Sequence, residues 1–286
     1  MDAGKTLRLL LGGENLVMAP GAPDALTARL VEKAGFPAIY MTGFGATASL
    51  IGCPDVGLLS QTEMTRHAAN MVRAVTVPVI ADADTGYGGV HNVMRAVREM
   101  EGAGLAGIHI EDQAEPKRCG HLDGKRLVSP VEMARKIRAA VRAREDANFY
   151  LIARTDARAV NGLADALERA DRYLEAGADA IFVEALESAD EFAEFAERVK
   201  SPLMANMTEF GKSPPLTVDA LGAMGYAMVV FPMSAFRVMM KAAEEVYSAI
   251  EREGTSASFL DRMQTRKELY DLVGYAGYEE LERGMG

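Results

Sequence analysis

Residues 174–183, LEAGADAIFV, contain the pattern that decides the fold of this chain. A charged helix end runs into Gly177, and glycine commonly ends a helix because it adopts left-handed backbone angles without steric cost. A short apolar run, typical of a buried strand, follows at once. The same order of features recurs at residues 32–40 (EKAGFPAIY), 101–110 (EGAGLAGIHI) and 221–230 (LGAMGYAMVV). The pattern predicts a repeated unit of helix, tight turn and buried strand.

Eight short apolar segments are predicted as strands, at residues 16–19, 38–41, 77–81, 107–110, 149–153, 180–183, 202–205 and 227–231. Most are separated by stretches of helical periodicity, which indicates a parallel sheet covered by helices. Eight such units favour an α/β fold of the closed (β/α)8 TIM type over an open doubly wound sheet. The open sheet would usually carry a glycine-rich dinucleotide fingerprint after its first strand, where this chain has APGAPDA.

The chain continues well beyond the eighth strand. Residues 234–252 predict a helix, and residues 258–284 form an amphipathic segment with three tyrosines. This extension either packs on the barrel wall or contacts another subunit, and its apolar residues favour the second interpretation. No linker or charge block marks a boundary. We therefore expect residues 1–286 to form one barrel domain that includes a C-terminal helical extension from about residue 234.

Composition narrows the class of protein. The chain has 31 Lys and Arg against 41 Asp and Glu, a formal charge of −10, and no basic stripe, so nucleic acid is not an expected partner. Two cysteines do not make a disulfide framework, which favours a reducing cytoplasm. The apolar run near the N-terminus is too short for a signal peptide, and no apolar stretch of about 18 residues predicts a membrane span.

Nearly every predicted strand ends in an ionisable or amide side chain. In a (β/α)8 barrel the catalytic groups lie at the C-terminal ends of the strands, so these side chains should share one rim. In chain order they are Tyr40, Thr42, Asp82, Asp84, Glu111, Asp112, Arg154, Thr155, Asp156, Glu184, Asn206, Thr208 and, beyond the eighth strand, Ser234 and Arg237.

Asp82, Asp84 and Glu111 form an all-oxygen set that suits Mg²⁺, or Mn²⁺, better than zinc. A turn or a helix cap is the alternative for the two aspartates, because TGYGG follows them. With Glu184 on a further strand, so many acids at one rim require a cation or a proton to offset their repulsion. The metal site is the favoured interpretation.

The run KRCGH at residues 117–121 places a thiol among three basic side chains. Such a field predicts a stabilised thiolate at Cys119. Glycines at positions 120 and 124 would let the loop close, and a proton donor on a mobile flap suits an anionic substrate that is covered and then protonated. A solvated basic turn is the alternative.

Several further residues have two interpretations. Arg154, Arg237 and Arg266 are candidate carboxylate clamps, although a surface salt bridge is the better explanation for Arg266. His109, within the fourth strand, is more plausibly packed and hydrogen-bonded than catalytic. Asp55 lies in a glycine-flanked turn, where a cap is expected and a site role is open.

Motifs from about residue 40 to residue 275 resemble the isocitrate lyase / phosphoenolpyruvate mutase superfamily, specifically its short-chain 2-methylisocitrate lyase branch. In chain order they are TGFGATAS, CPDVG, DADTGYGG, HIEDQAEPKRCGH, ARTDA, FVEA, ANMTEFGKSP, PMSAFR and MQTRKELYD. KRCGH after IEDQ is the specific part of the match, whereas DADTG alone would be weak.

The resemblance implies Mg²⁺ held through Asp82 and Asp84, with Glu111 in a water-mediated shell. It implies that Cys119 is the catalytic acid on a closing loop, with Lys117 and His121 beside it. It also implies a homotetramer that exchanges the helix after the eighth strand. The implied substrate contacts are Thr42, Gly43, Phe44, Gly120, Arg154, Glu184, Asn206, Thr208, Arg237 and Arg266.

The implied reaction is a retro-aldol (Claisen-type) cleavage of a 2-hydroxy polycarboxylate, with Tyr40, Asp55 or a metal-linked water as base. TEFG and the pair Arg237/Arg266 resemble the tricarboxylate pattern and favour 2-methylisocitrate, which would give pyruvate and succinate. Phe44 replaces a glycine-rich turn and leaves open a smaller diacid such as 2,3-dimethylmalate.

The same barrel and metal site would also suit a phosphonomutase, acting on carboxyphosphonoenolpyruvate or phosphoenolpyruvate, an oxaloacetate decarboxylase, or a metabolite-binding barrel without activity. The Cys119 thiol favours carbon–carbon cleavage over phosphorus–carbon chemistry. An inactive barrel would lack an acid or the thiol, and all are present in the sequence.

Overall fold

The structure, a computed structural model, describes residues 2–285 and contains the predicted barrel. Eight parallel strands pair in chain order, and β1 closes the barrel by pairing with β8. The strands are β1 (Val17–Ala22), β2 (Ile39–Met41), β3 (Val79–Asp82), β4 (Gly107–Glu111), β5 (Tyr150–Thr155), β6 (Ala180–Val183), β7 (Leu203–Asn206) and β8 (Met228–Phe231). The predicted (β/α)8 fold is confirmed.

Helices follow the strands and cover the outside of the sheet. Those in the first part of the chain are α1 (Ala3–Leu11), α2 (Ala25–Lys33), α3 (Gly43–Ile51), α4 (Gln61–Ala74), α5 (Val90–Gly102), α6 (Pro130–Ala143), α7 (Arg158–Asn161), α8 (Leu163–Glu175), α9 (Ala189–Arg198) and α10 (Val218–Met224). Beyond β8 lie α11 (Ser234–Glu253), a 3₁₀ helix (Ala257–Arg262), α12 (Arg266–Val273) and α13 (Tyr275–Gly284).

The glycine of each repeated unit adopts the left-handed conformation that the sequence pattern predicts. The φ angles are +88° at Gly35, +92° at Gly104, +101° at Gly177 and +94° at Gly225. A side chain with a Cβ is strained at such angles, so glycine lets the chain leave the helix and enter the next strand within a few residues.

The first strand is clearly longer than predicted. The expected first strand ends at residue 19, but β1 continues through Pro20 and Gly21 to Ala22. Proline lacks only its own N–H donor, so the rest of the strand can still form backbone hydrogen bonds. β1 lies between β8 and β2, where Pro20 is opposite Phe231 and Gly21 is opposite Tyr40. Pairing on both sides therefore carries the strand past the proline.

The core has two layers, as the alternation of side chains along a strand requires. Inward-facing residues such as Ile80, Ile152, Phe182 and Val230 fill the barrel, and Leu7 of α1 packs with them. Outward-facing residues of the strands form a second, larger cluster with the helices. Apolar side chains therefore fill the middle of the barrel, and polar side chains lie at the C-terminal ends of the strands.

The chain divides into two compact units. Residues up to Ser234 form the barrel unit, and residues from Ala235 form a helical unit. Within the helical unit Thr265 caps α12 through Glu268, and the rings of Tyr270 and Tyr275 stack with centroids 4.8 Å apart. The expectation of a single domain and the exchange of a helix between subunits remain predictions.

No helix within residues 2–285 combines the length and the apolar character needed to cross a membrane.

Replacing Gly107 by alanine should destabilise the barrel by about 1–3 kcal/mol, the usual penalty of overpacking. The added Cβ would overlap the backbone carbonyl of Tyr150 on β5, which the strand ladder holds in place. Gly102→Ala is the matched control, because its Cβ would meet nothing within 4 Å. Urea unfolding followed by circular dichroism measures both, and equal transition midpoints would contradict the prediction.

Candidate active site

The KRCGH run lies on a loop whose two ends are joined. Gln113 and Leu127 form an isolated antiparallel bridge just after β4. The N–H of Ala114 donates to the carbonyl of Arg126 at 2.7 Å, and the N–H of Val128 donates to the carbonyl of Asp112 at 2.9 Å. Residues 114–126, called here the thiol loop, therefore leave and re-enter the barrel at one place.

Lys117 does not face solvent as a basic loop residue would. Its buried ammonium lies 2.5 Å from a carboxylate oxygen of Asp55 and 2.5 Å from one of Asp84. Burial alone would lower the pKa of Lys117, but Asp84 and the neighbouring acids hold it well above its ordinary value. Asp55 is therefore an ion-pair partner of Lys117, and the next helix, α4, is capped by Ser60 and not by Asp55.

The predicted stabilised thiolate at Cys119 is wrong. Burial is the main cause that raises the pKa of Cys119, and the charge of Glu184 adds to it. The backbone N–H of His121 and the guanidinium of Arg154 oppose this rise only in part. The charge of Lys117 is offset by its two carboxylates, so it does not supply the expected field. The half-buried thiol stays protonated at neutral pH, which is the form that donates a proton.

Gly120 and His121 place the thiol loop directly on the ends of β5 and β6. A Cβ at Gly120 would lie 2.5 Å from Cγ of Glu184 and would also overlap the guanidinium of Arg154. Nε2 of His121 lies 2.9 Å from Oε1 of Glu184, while Nδ1 accepts the backbone N–H of Lys212 at 3.0 Å. Because Nδ1 is an acceptor, Nε2 carries the hydrogen that faces Glu184.

Arg154 lies at the centre of three carboxylates. Its Nε is 2.9 Å from Asp156 and 3.2 Å from Glu111, and its Nη2 is 3.2 Å from Glu184. The guanidinium also lies over the ring of Phe182, 5.1 Å from the centroid. Burial raises the pKa of Glu184, but Arg154 and His121 more than offset this, and the net shift is downward. Arg154 therefore keeps Glu184 ionised inside the protein.

The candidate metal acids are buried and closely packed. Oδ1 of Asp82 accepts the N–H of Asp84 at 2.9 Å, and a Cβ at Gly43 would lie 2.5 Å from Oδ2 of Asp82. Only glycine fits at that position. Burial raises the pKa of Asp84 to about 7 and that of Glu111 well above its ordinary range. Neither carboxylate oxygen of Glu111 accepts a hydrogen bond in the described part of the chain.

No three His, Cys, Asp or Glu side chains in residues 2–285 are already arranged to hold a metal ion. Asp84 is paired with Lys117, and Glu111 lies beside Arg154. The donor set still fits Mg²⁺, because this ion takes one or two carboxylates directly and keeps several waters. Asp82 and Asp84 would be the direct ligands, and the unsatisfied oxygens of Glu111 suit a contact through water.

Tyr40 and His109 form a buried pair inside the barrel. The hydroxyl oxygen of Tyr40 is 2.8 Å from Nε2 of His109. Burial raises the pKa of Tyr40 well above its ordinary value, and burial lowers the pKa of His109 to about 4. His109 is thus packed, neutral and hydrogen-bonded through Nε2. Nδ1 has no partner among the residues described.

The remaining predicted contacts divide between the two units. Thr42 caps α3, Phe44 is half-buried in its first turn, and Asn206 donates to Glu184 at 3.2 Å. Thr208, which is also half-buried, follows β7. Arg237 lies in α11 and Arg266 begins α12, both in the helical unit.

The expectation that Asp112 shares the rim with Glu111 is wrong. Asp112 points to the helices, where it accepts from the Tyr173 hydroxyl at 2.7 Å and from Arg169 at 3.0 Å, two residues that sequence reasoning missed. It also accepts the backbone N–H of Asp156 at 2.9 Å. Alternation along the strand signals that consecutive acids face opposite sides, but nothing local in the sequence identifies the partners of Asp112.

The sequence profile of the phosphoenolpyruvate phosphomutase family matches residues 7–251. A 2-methylisocitrate lyase of Aeropyrum pernix is 52% identical over 279 residues, covering 98% of this chain and 90% of that protein. A 2,3-dimethylmalate lyase of Eubacterium barkeri is 46% identical, covering 99% of this chain and 98% of that protein.

Solved structures agree with the fold. Oxaloacetate acetylhydrolase in complex with 3,3-difluorooxalacetate superposes with a TM-score of 0.95 at 35% identity, covering 100% of this chain and 97% of that chain. Phosphonopyruvate hydrolase, solved with oxalate and Mg²⁺, superposes with a TM-score of 0.90 at 33% identity, covering 99% of each chain. Superfamily members therefore bind Mg²⁺, and the curated relatives are oxo-acid lyases. The chain belongs to the phosphoenolpyruvate mutase / isocitrate lyase superfamily.

Proposed function

We propose that this protein is a Mg²⁺-dependent lyase that cleaves 2-methylisocitrate into pyruvate and succinate. The observation that carries the proposal is the thiol loop, which brings Gly120 and His121, the two residues after the protonated thiol of Cys119, onto Arg154 and Glu184. The 52% identity to the Aeropyrum pernix 2-methylisocitrate lyase supports the choice of substrate. Mn²⁺ is an alternative metal, because its ligand preferences are similar.

Arg154 binds the carboxylate of the hydroxy-acid end. Its contacts with the three protein acids use Nε and Nη2, so Nη1 is the donor assigned to the substrate. Phe182 under the guanidinium and Asp156 beside it hold the plane of the guanidinium in place. The remaining proposed contacts of the barrel unit are Thr42, Gly43, Phe44, Gly120, Glu184, Asn206 and Thr208. Arg237 and Arg266 are assigned to the distal carboxylates of the substrate.

Cleavage begins when a base removes the proton of the substrate hydroxyl. Of the two side chains considered, Asp55 is better suited than Tyr40. Its carboxylate lies 2.5 Å from the ammonium of Lys117, whereas burial raises the pKa of the Tyr40 phenol well above its ordinary value and makes it a poor base. The alkoxide becomes the keto group of pyruvate as the carbon–carbon bond breaks, and the electron pair stays on the succinate carbon.

Cys119 then donates the proton of its thiol to that carbon, which completes succinate. The proton taken from the hydroxyl returns through solvent to the thiolate, so the enzyme is restored. His121 stays hydrogen-bonded to Glu184 and keeps the thiol loop closed during this transfer. When bound, Mg²⁺ would stabilise the negative charge that develops on the substrate oxygens.

A smaller diacid is the second candidate. Phe44 enters the first turn of α3 next to Gly43, and the Eubacterium barkeri 2,3-dimethylmalate lyase is 46% identical over nearly the whole of both chains. A phosphonomutase ranks lower, because phosphorus–carbon chemistry does not need the Cys119 proton donor. An oxaloacetate decarboxylase also ranks lower, because the KRCGH loop is typical of the lyase branch and not of such decarboxylases. An inactive metabolite-binding barrel ranks last.

We also propose that the protein is a homotetramer whose subunits exchange the helix after β8. The helical unit exposes large apolar side chains: Val238, Tyr247 and Tyr278 are each 70% exposed and Leu281 is 61% exposed. Contact with other copies of the chain would remove this surface from water. A cytoplasmic location suits the mechanism, because it requires Cys119 as a free thiol.

The substrate assignment is tested by measuring α-keto acid release with Mg²⁺ from 2-methylisocitrate, isocitrate, 2,3-dimethylmalate and oxaloacetate. We expect pyruvate from 2-methylisocitrate, with loss of activity on chelation and recovery when Mg²⁺ is restored. Turnover of dimethylmalate alone would favour the smaller diacid. Inactivity with all four compounds would reject the lyase assignment and direct the search to phosphonates.

Cys119→Ser should lower kcat by at least about 100-fold while KM changes little, because the general acid is lost but the binding groups remain. Cys53→Ser is the matched control, since its thiol donates a weak hydrogen bond to the carbonyl of Ile51 and is given no role in the reaction, and it should stay near wild-type activity. Steady-state kinetics on the best substrate measure both variants. Near-normal turnover of Cys119→Ser would remove the thiol from the mechanism.

Light scattering after size exclusion should give a mass of four chains. Tyr247→Glu and Leu281→Glu should each shift the protein towards smaller species, because a charge is placed on an apolar face that another copy covers. Lys200→Glu in the barrel unit is the control for an exposed charge change and should leave the mass unaltered. A monomeric wild-type protein at micromolar concentration would contradict the tetramer.

A further inference from the structure

The two peptide neighbours of Cys119 are each fixed by a buried side chain that contacts no group assigned to the metal. We infer that Gln113 and Lys125 are positioning residues that clasp the thiol loop in its closed state and so aim the Cys119 thiol at the substrate carbon. The inference deepens the proposed function and rests on the role that it gives to Cys119.

Gln113 fixes the residue before the thiol. Its side chain is 1% exposed, and its amide makes two hydrogen bonds to one residue. Nε2 donates to the carbonyl of Arg118 at 2.8 Å, and Oε1 accepts the N–H of Arg118 at 2.8 Å. Paired donor and acceptor contacts set both the position and the orientation of that stretch of backbone. A side chain without both groups cannot reproduce them.

Lys125 fixes the residue after the thiol. Its buried ammonium donates to the carbonyl of Gly120 and lies 2.8 Å from Oδ1 of Asp156. Asp156 also binds Nε of Arg154 at 2.9 Å, so Lys125 connects the thiol loop to the carboxylate that orients the guanidinium. The bonds to Gly120 and to Asp156 are both charge-assisted, which makes them stronger than neutral hydrogen bonds.

The two anchors differ from the contacts that Lys117 and His121 make. Lys117 binds Asp55 and Asp84, and His121 binds Glu184, all of which are assigned to the reaction or to its metal. Gln113 and Lys125 instead hold backbone atoms on either side of Cys119, while much of the rest of the loop, such as Leu122, is exposed. Their effect is therefore to restrict where the thiol can lie.

Gln113→Met and Lys125→Met should each speed the alkylation of Cys119 by N-ethylmaleimide by about tenfold or more, because each removes buried hydrogen bonds that hold the loop closed. Peptide mass mapping separates Cys119 from Cys53. With the best substrate, each variant should lose much of kcat while KM changes far less, since most of the proposed binding groups lie outside the thiol loop. Lys125→Arg, which keeps the charge and donors, should recover part of both properties.

Lys200→Met is the matched control, because this lysine is exposed at the end of α9 and should alter neither property. Circular dichroism identifies any variant that fails to fold. The Gln113 and Lys125 variants test the inference independently of each other. Alkylation within twofold of wild type in the folded variants would overturn it. Faster alkylation of the variants together with a wild-type protein that is inactive on every substrate would support the clasp and reject the proposed lyase. The two failures are therefore distinguishable.

Discussion

The ion pairs of the buried Arg154 guanidinium hold the rim of this barrel together. Glu111, Asp156 and Glu184 come from three different strands or strand ends, and each lies within 3.2 Å of Arg154. Carboxylates buried this close would repel one another without a cation between them. The barrel supports the arrangement because its parallel strands deliver all four side chains to the same end. The site therefore depends on one fixed positive charge before any metal or substrate is considered.

The same charge balance explains why the thiol loop lies close to the barrel. Lys117 enters between Asp55 and Asp84, and His121 reaches Glu184, so the loop brings positive and hydrogen-bonding groups to acids that need them. Gly120 makes this approach possible, because a Cβ there would collide with Glu184. Loop closure and charge compensation are in this way one event, which suits a site that excludes water before a carbanion is protonated.

The thiol shows how neighbours in sequence can mislead about electrostatics. KRCGH suggests a thiolate, yet the Lys117 charge is directed to two carboxylates and the side chain of Arg118 turns to the carbonyl of Asp123. Burial then dominates and raises the pKa of Cys119. A protonated thiol is also the chemically consistent form for a general acid, so the correction strengthens the proposed role rather than weakening it.

By itself the sequence determined the barrel, the order of its strands and the residues that end them, because helix stops, apolar runs and alternation are local properties of the chain. It also predicted that Glu111, Arg154 and Glu184 lie together at one rim, since strand ends of a (β/α)8 barrel meet at one face, but it wrongly placed Asp112 there as well. Only the tertiary structure decided that Asp55 pairs with Lys117, that Asp112 faces Tyr173 and Arg169, and that Gln113 and Lys125 hold the thiol loop. These partners lie on different strands, helices and loops, and their pKa values follow from burial and three-dimensional neighbours, which no local pattern in the chain encodes.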